Sequence, residues 1–213
     1  MVPDASRRTS AIALADSLSR DGWAVAADFA PPDLLEALAR EARCLWDEGS
    51  FRAARIGSGA DQHLAPAIRS DRILWIGSEP TAPQAAYQGH LDELRLAINP
   101  RTLLGLFEWE GHLACYPEGT HYRRHLDVFA HHRERKVSTV LYLNQDWQPG
   151  DGGELRLWTT PGAIDGPFVD IEPRFGTLVA FLSEDYFHEV LPTRRERFSV
   201  TGWFRVRPLT SRG

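Results

Sequence analysis

Beyond residue 105 the chain is a run of short, alternating, β-branched stretches punctuated by turn clusters, and that rhythm constrains its fold more than any other feature. "KVSTVLYLN", "ELRLW", "PFVDIEP", "GTLVAFL" and "RFSVTGWFRV" follow one another closely, with the Gly- and Pro-rich "QDWQPGDGG" after the first. Many short strands with regular turns predict a sandwich or a jelly-roll barrel. The first half reads differently. "PPDLLEALAREARCLWDEG" has a Pro-Pro-Asp start and an apolar stripe at Leu34, Leu35, Leu38, Ala42 and Leu45, a helical period. "PQAAYQGHLDELRLAINPRTLL" predicts another helix that stops near Asn99-Pro100, and a helix end gives way to a short strand at Gly22. The Gly- and Ser-broken stretch 51–77 predicts a mobile loop running into a strand. The expected class is α+β, mainly β. Residues 1–105 form a helical support region with early strands, part of the same domain, and 106–208 form a double-stranded β-helix (jelly-roll) core that these helices buttress.

Composition narrows the function classes. A net charge of −5 argues against a nucleic-acid partner, although Arg123, Arg124, Arg133, Arg135 and Lys136 leave a local basic stripe. Two cysteines, Cys44 and Cys115, make neither a disulfide framework nor a thiolate zinc site, and fit a reducing cytoplasm. The N-terminal apolar run breaks into charges at once, so neither a signal peptide nor a membrane span is expected.

Chemistry concentrates in "HYRRHLDVFAHH", residues 121–132, with four histidines and one aspartate. His121 and His125 have the H-x-x-x-H spacing of two zinc ligands on a helix. His125 and Asp127 have the H-x-D spacing of two ligands on one face of a strand. The zinc reading needs a helix directly after a Pro-Glu-Gly turn, in a β region with no helical stripe, and it lacks the glutamate of H-E-x-x-H. "HLD" also occurs at 90–92, within the predicted helix, where positions i and i+2 diverge and the pair reads as a solvated surface. A strand-borne His125 and Asp127 need one more histidine for the 2-His-1-carboxylate set that suits non-haem Fe(II) and oxygen. His63, His112, His131, His132 and His188 are the candidates, and His188, between two late strands, is placed as a closing ligand should be. His131 and His132 read as a solvated turn. Nine residues after His188, Arg197 opens the last strand, where its fork can receive a carboxylate. Arg197, Ser199, Thr201 and Trp203 fall on one strand face, and so do Val140 and Tyr142.

Four blocks in order, "IRSDRILWI" (68–76), "ACYPEGTHYRRHLD" (114–127), "STVLYLNQDWQPGDGGELRLW" (138–158) and "FHEVLPTRRERFSVTGWF" (187–204), resemble the 2-oxoglutarate/Fe(II)-dependent dioxygenases. Within them the likeness is to the prolyl 4-hydroxylase branch, of the hypoxia-inducible-factor type and its bacterial counterparts. The resemblance implies His125, Asp127 and His188 as iron ligands, and Arg197 with Tyr142 as partners of the 2-oxoglutarate C5 carboxylate. It places Tyr116 near cosubstrate and iron, and Leu155, Val140, Thr201 and Trp203 around the cosubstrate pocket. Arg69 and Asp71 resemble a loop that folds over the substrate proline, with Tyr122 at the site mouth. It further implies Fe(II), with 2-oxoglutarate and O2 as cosubstrates and ascorbate as reductant, and hydroxylation of a prolyl residue at C4 in a protein, a translation-related one included. The alternatives are the same chemistry on a small molecule or non-prolyl group, and a non-catalytic jelly-roll sensor. Ser138, Ser199 and the stretch 51–66 depart from the animal pattern, whereas Arg197, where collagen-type enzymes carry lysine, favours the hypoxia-type branch.

Overall fold

The structure, a computed structural model, describes residues 5–55, 63–128 and 133–208. Three helices, α1 (Ala5–Asp21), α2 (Pro32–Asp47) and α3 (Ala82–Thr102), accompany eleven strands. These are β1 (Trp23–Ala26), β2 (Arg52–Ala53), β3 (Arg72–Trp75), β4 (Glu108–Tyr116), β5 (Tyr122–His125), β6 (Arg135–Tyr142), β7 (Leu155–Trp158), β8 (Phe168–Ile171), β9 (Leu178–Leu182), β10 (His188–Val190) and β11 (Arg197–Arg205). Seven strands form a major sheet in the order β1-β9-β6-β11-β4-β3-β2, and four form a minor sheet in the order β5-β10-β7-β8. The result is the expected jelly roll with helices on one side.

Each helix presents one apolar stripe to the outer face of the major sheet. In α2, Pro32 occupies the first turn, where its missing N–H costs nothing, and Leu35, Leu38 and Ala42 are buried. Helix α3 starts at a capping box in which Thr81 and Gln84 exchange hydrogen bonds, and buries Tyr87, Leu91, Leu94 and Ile98. These residues pack with Leu113, Leu141, Val200 and Phe204 of the sheet in one core. A second core, containing Tyr116, Val140, Tyr142, Leu155, Leu157 and Phe181, lies between the two sheets.

Two expectations on α3 need correction. The helix does not stop at Asn99-Pro100 but continues to Thr102, with Leu103 in a left-handed conformation (φ 55) as its cap. Pro100 removes only the hydrogen bond to the carbonyl of Leu96, a residue 63% exposed, so water can serve that oxygen. His90 is not a plain surface residue either: its half-buried ring meets Phe29 edge-on at 6.4 Å, while Asp92 is exposed and pairs with Arg95.

The close fit of β4 to β11 depends on two glycines. A Cβ on Gly111 or Gly202 would come within 2.2 to 2.3 Å of the Trp109 ring. Their bare backbones make the slot in which that indole lies, its N–H donating to Thr139 Oγ1 at 3.0 Å.

The segment before β3 ties the sheets together at the barrel mouth. Arg69 bridges Tyr122, Ser70 N–H donates to the His121 carbonyl, and Arg123 N–H donates to the Ile68 carbonyl, so 68–70 lines the edge of the minor sheet. Two residues on, β3 begins and pairs with β4 of the major sheet. Part of the stretch expected as a mobile loop, 56–62, lies outside the described residues, as do His131 and His132. No helix among the described residues is long and apolar enough to cross a membrane.

Candidate active site

The minor sheet brings two histidines side by side. His125 ends β5 and His188 begins β10, and the two are direct register partners. Asp127 lies in the bend just past β5, so the H-x-D pair is only half on a strand, yet its carboxylate turns back to the histidines. His125 Nε2 is 3.5 Å from Asp127 Oδ1, and His188 Nε2 is 3.6 Å from Oδ2. One ligand atom from each of the three lies within 4.8 Å of the others. The strand at 122–125 removes the helical zinc reading.

Each ring is oriented through its other nitrogen. His125 Nδ1–H donates to the Arg123 carbonyl at 2.7 Å, and His188 Nδ1–H to the Tyr186 carbonyl at 3.1 Å. A carbonyl can only accept, so the proton of each neutral ring sits on Nδ1 and Nε2 presents its lone pair to the centre of the cluster. Burial, followed by His125, pushes His188 down to about 4 against the opposing pull of Asp127, which keeps it neutral near pH 7. Burial alone would raise the Asp127 carboxyl. His188, the His125 hydrogen bond and the Ser138 hydroxyl outweigh it and hold the group well below the usual carboxylate range. Two imidazoles and one carboxylate, convergent and largely shielded from water, fit a divalent first-row metal with positions left open.

The major sheet supplies the opposite end of the cavity. Arg197 is 1% exposed and donates Nε–H to the Gly153 carbonyl at 2.8 Å. Its guanidinium lies over the rings of Tyr116 and Tyr142, at 5.0 and 4.9 Å from their centres. Gly153 has φ +66, and a Cβ there would come within 3.0 Å of the Arg197 chain, so only glycine seats the arginine. Arg197 Nη2 and Tyr142 Oη are buried without a hydrogen-bond partner among the described residues. Among the described residues no carboxylate pairs with Arg197. A buried guanidinium left this way is costly, and a ligand carboxylate would satisfy both it and the phenol. Burial pushes Tyr142 up to about 12 in spite of Arg197, so its hydroxyl keeps the proton it would donate.

Arg69, Tyr116, Tyr122, Val140, Leu155, Thr201 and Trp203 line the same cavity as the triad and Arg197. Asp71 lies beneath, fully buried, gripping Arg69 through bonds of 2.7 and 2.9 Å, while Arg69 stacks on Tyr122. His121 and His63 do not line the cavity. His112 does, but outside the ligand cluster. Its ring packs between Trp75, 51% exposed, and Trp203, and among the described residues neither its Nδ1 nor Trp203 Nε1 has a hydrogen-bond partner. Period-2 spacing from Tyr116 through Ala114 could have found His112, and spacing from Tyr142 through Val140 could have found Ser138. Gly153 carried only a turn signal. The basic stripe is partly neutralised, by Glu110 on Arg135, Glu184 on Lys136 and Asp165 on Arg124.

A profile of the 2OG-Fe(II) oxygenase superfamily matches residues 111–205. A solved prolyl-4-hydroxylase from Pseudomonas putida superposes with a TM-score of 0.83 at 46% identity, over 92% of this chain and 99% of that one. The chain belongs to the 2OG-Fe(II) oxygenase superfamily. A Trichoplax adhaerens prolyl hydroxylase, solved with a hypoxia-inducible factor oxygen degradation domain peptide, superposes at a TM-score of 0.80 and 26% identity, over 94% of this oxygenase and 90% of its own chain. Egl nine homolog 1 of Homo sapiens is 33% identical over 196 residues, 88% of this chain but 44% of its own length. The oxygenase thus spans less than half of that curated relative. The superfamily uses Fe(II), 2-oxoglutarate and O2, and His125, Asp127 and His188 are a fitting iron site.

Proposed function

We propose that this oxygenase hydroxylates a prolyl residue of a protein, at C4, with decarboxylation of 2-oxoglutarate to succinate and CO2. The observation that carries the chemistry is one cavity with two complementary ends, a convergent His-Asp-His cluster and a buried Arg197–Tyr142 pair with no carboxylate partner among the described residues. The substrate class rests on the 46% identity to the Pseudomonas prolyl-4-hydroxylase across nearly the whole of that chain. The Trichoplax relative, whose bound ligand is a peptide, supports a protein partner. A translation-related protein is one such partner.

Fe(II) bound at the triad, with ascorbate keeping it reduced, supplies the oxygen chemistry that couples the two half-reactions. The chain's own residues position and enclose. His125 and His188 offer Nε2, and Asp127 offers a carboxylate oxygen. Arg197 and Tyr142 anchor the C5 carboxylate of 2-oxoglutarate, and Tyr116, Val140, Leu155 and Thr201 wall it from water. Arg69, braced by Asp71, and Tyr122 border the substrate side, with His112 and Trp203 in the cavity wall and the exposed Trp75 packed against both. No side chain has to act as a general base, and Glu189 beside His188 faces Arg156 instead.

The test is mass spectrometry of candidate protein substrates after incubation with Fe(II), 2-oxoglutarate and ascorbate. We expect oxygen incorporation on a proline, absent with the His125→Ala variant. Succinate release without modification of any proline would overturn the prolyl assignment and leave a non-prolyl or small-molecule substrate.

A further inference from the structure

Asp127 presents a structural problem that its two histidine partners do not share. His125 and His188 belong to paired strands, whereas Asp127 sits in a bend beyond the end of β5. Something other than the minor sheet must hold its carboxylate. Ser138 Oγ donates to Asp127 Oδ2 at 2.6 Å, and Ser138 Oγ lies 2.9 Å from Ser183 Oγ. Ser138 and Ser183 are 1% and 0% exposed. Ser138 belongs to β6, in the middle of the major sheet, and Ser183 follows β9 directly, its N–H donating to the Lys136 carbonyl at 3.0 Å.

The order of donors follows from the chemistry. An ionised carboxylate only accepts, so the Ser138 proton is committed to Asp127. The bond between the serines must then be donated by Ser183. We propose that Ser183→Ser138→Asp127 is a one-way hydroxyl relay that tethers the carboxylate to the major sheet and restricts it to ligation through a single oxygen. This rests on the triad reading above. With Oδ2 engaged by a hydroxyl, Oδ1 is the oxygen offered to the metal, and coordination positions stay available for cosubstrate and oxygen. Ser138 and Ser183 are positioning residues, not ligands. Loss of such a partner behind a metal ligand typically weakens metal binding about 10- to 100-fold.

The test is Mn(II) affinity of the chelator-stripped full chain, read from the electron paramagnetic resonance of free Mn(II), without turnover. Ser138→Ala is expected to weaken binding about 10- to 100-fold, and Ser138→Thr, which keeps the hydroxyl, to restore most of it. Ser183→Ala should weaken binding less than Ser138→Ala. Because the relay is serial, adding Ser183→Ala to Ser138→Ala should cost nothing more. Thermal unfolding of each stripped variant reports folding, and Ser183→Ala, which leaves the carboxylate its own donor, carries the test if Ser138→Ala does not fold. Unchanged affinity in Ser138→Ala, or in Ser183→Ala should that variant carry the test, overturns the relay, as does an additive double variant. Wild-type chain that fails to bind Mn(II) overturns the triad itself, a distinct result.

Discussion

At the His125–Asp127–His188 end of the cavity, the polar atoms that face away from the cluster centre are engaged: both Nδ1–H groups by backbone carbonyls, and Oδ2 by Ser138. At the Arg197 end, Nε donates to Gly153, while Nη2 and the Tyr142 hydroxyl have no hydrogen-bond partner among the described residues. Neither end is open to solvent, with the triad side chains at most 13% exposed and Arg197 1% exposed, so the contrast is not chiefly one of solvent access. A metal site must have its ligands fixed before the ion arrives, because a misplaced lone pair forfeits coordination geometry. A carboxylate-binding end does better with vacancies, because each unsatisfied donor becomes binding free energy when the ligand comes.

Removing a ligand from the fixed end should have the largest consequence. His125→Ala is expected to abolish succinate formation from 2-oxoglutarate, and near-wild-type release would break the contrast at its root. Next in size is the waiting end. Arg197→Ala should raise the apparent Kd for 2-oxoglutarate by roughly 30- to 5,000-fold, the equivalent of about 2–5 kcal/mol for truncating one partner of a buried charged bond. Mn(II) affinity without cosubstrate should stay close to wild type. Arg197→Lys should recover only part of the loss, since an ammonium cannot reproduce the fork. Titrating 2-oxoglutarate into the Mn(II)-loaded protein by calorimetry separates these outcomes.

A third expectation concerns His112, buried in the cavity wall beside Trp203. Burial, with Arg69 second, lowers its pKa to about 3 from 6.5. Between those values the unfolded chain binds a proton that the folded ring refuses, so stability falls as pH drops below about 6.5. The share from this residue is about 2 kcal/mol between pH 7 and pH 5, at about 1.4 kcal/mol per unit below pH 6.5. Denaturant midpoints at the two pH values should therefore diverge less in His112→Leu than in wild type. The smallest effect is the most diagnostic of the vacancies. Tyr142→Phe should weaken 2-oxoglutarate binding by about 0.5–1.5 kcal/mol while raising the stability of the ligand-free protein, because a buried unsatisfied hydroxyl is removed. A fall in both would mean that the hydroxyl is already satisfied.

Much of this was legible in the sequence because periodicity carries it. Alternation marked the strands and put Arg197, Thr201 and Trp203 on one face, and the stripe at Leu35, Leu38 and Ala42 marked α2. Short motifs did less alone. H-x-D at 125–127 and at 90–92 is the same string, and only the surrounding element separates them. What stayed hidden is what depends on distant partners. Ser183 reaches Ser138 across 45 positions, and nothing local marks it. The slot that Gly111 and Gly202 open for Trp109 joins strands far apart in the chain. The continuation of α3 past Pro100 needed knowledge that Leu96 lies exposed.

The two ends of the cavity belong to different sheets. His125 and His188 ride on the minor sheet, and Arg197 and Tyr142 on the major one. The span between metal and guanidinium is therefore set by how the sheets are stacked, and the packed residues between them allow little slack. With 2-oxoglutarate held at both ends as proposed, the barrel would act as a gauge. An oxo-dicarboxylate one methylene longer or shorter would engage one anchorage and strain against the other, so selection by chain length comes from the stacking of the barrel rather than from any single side chain.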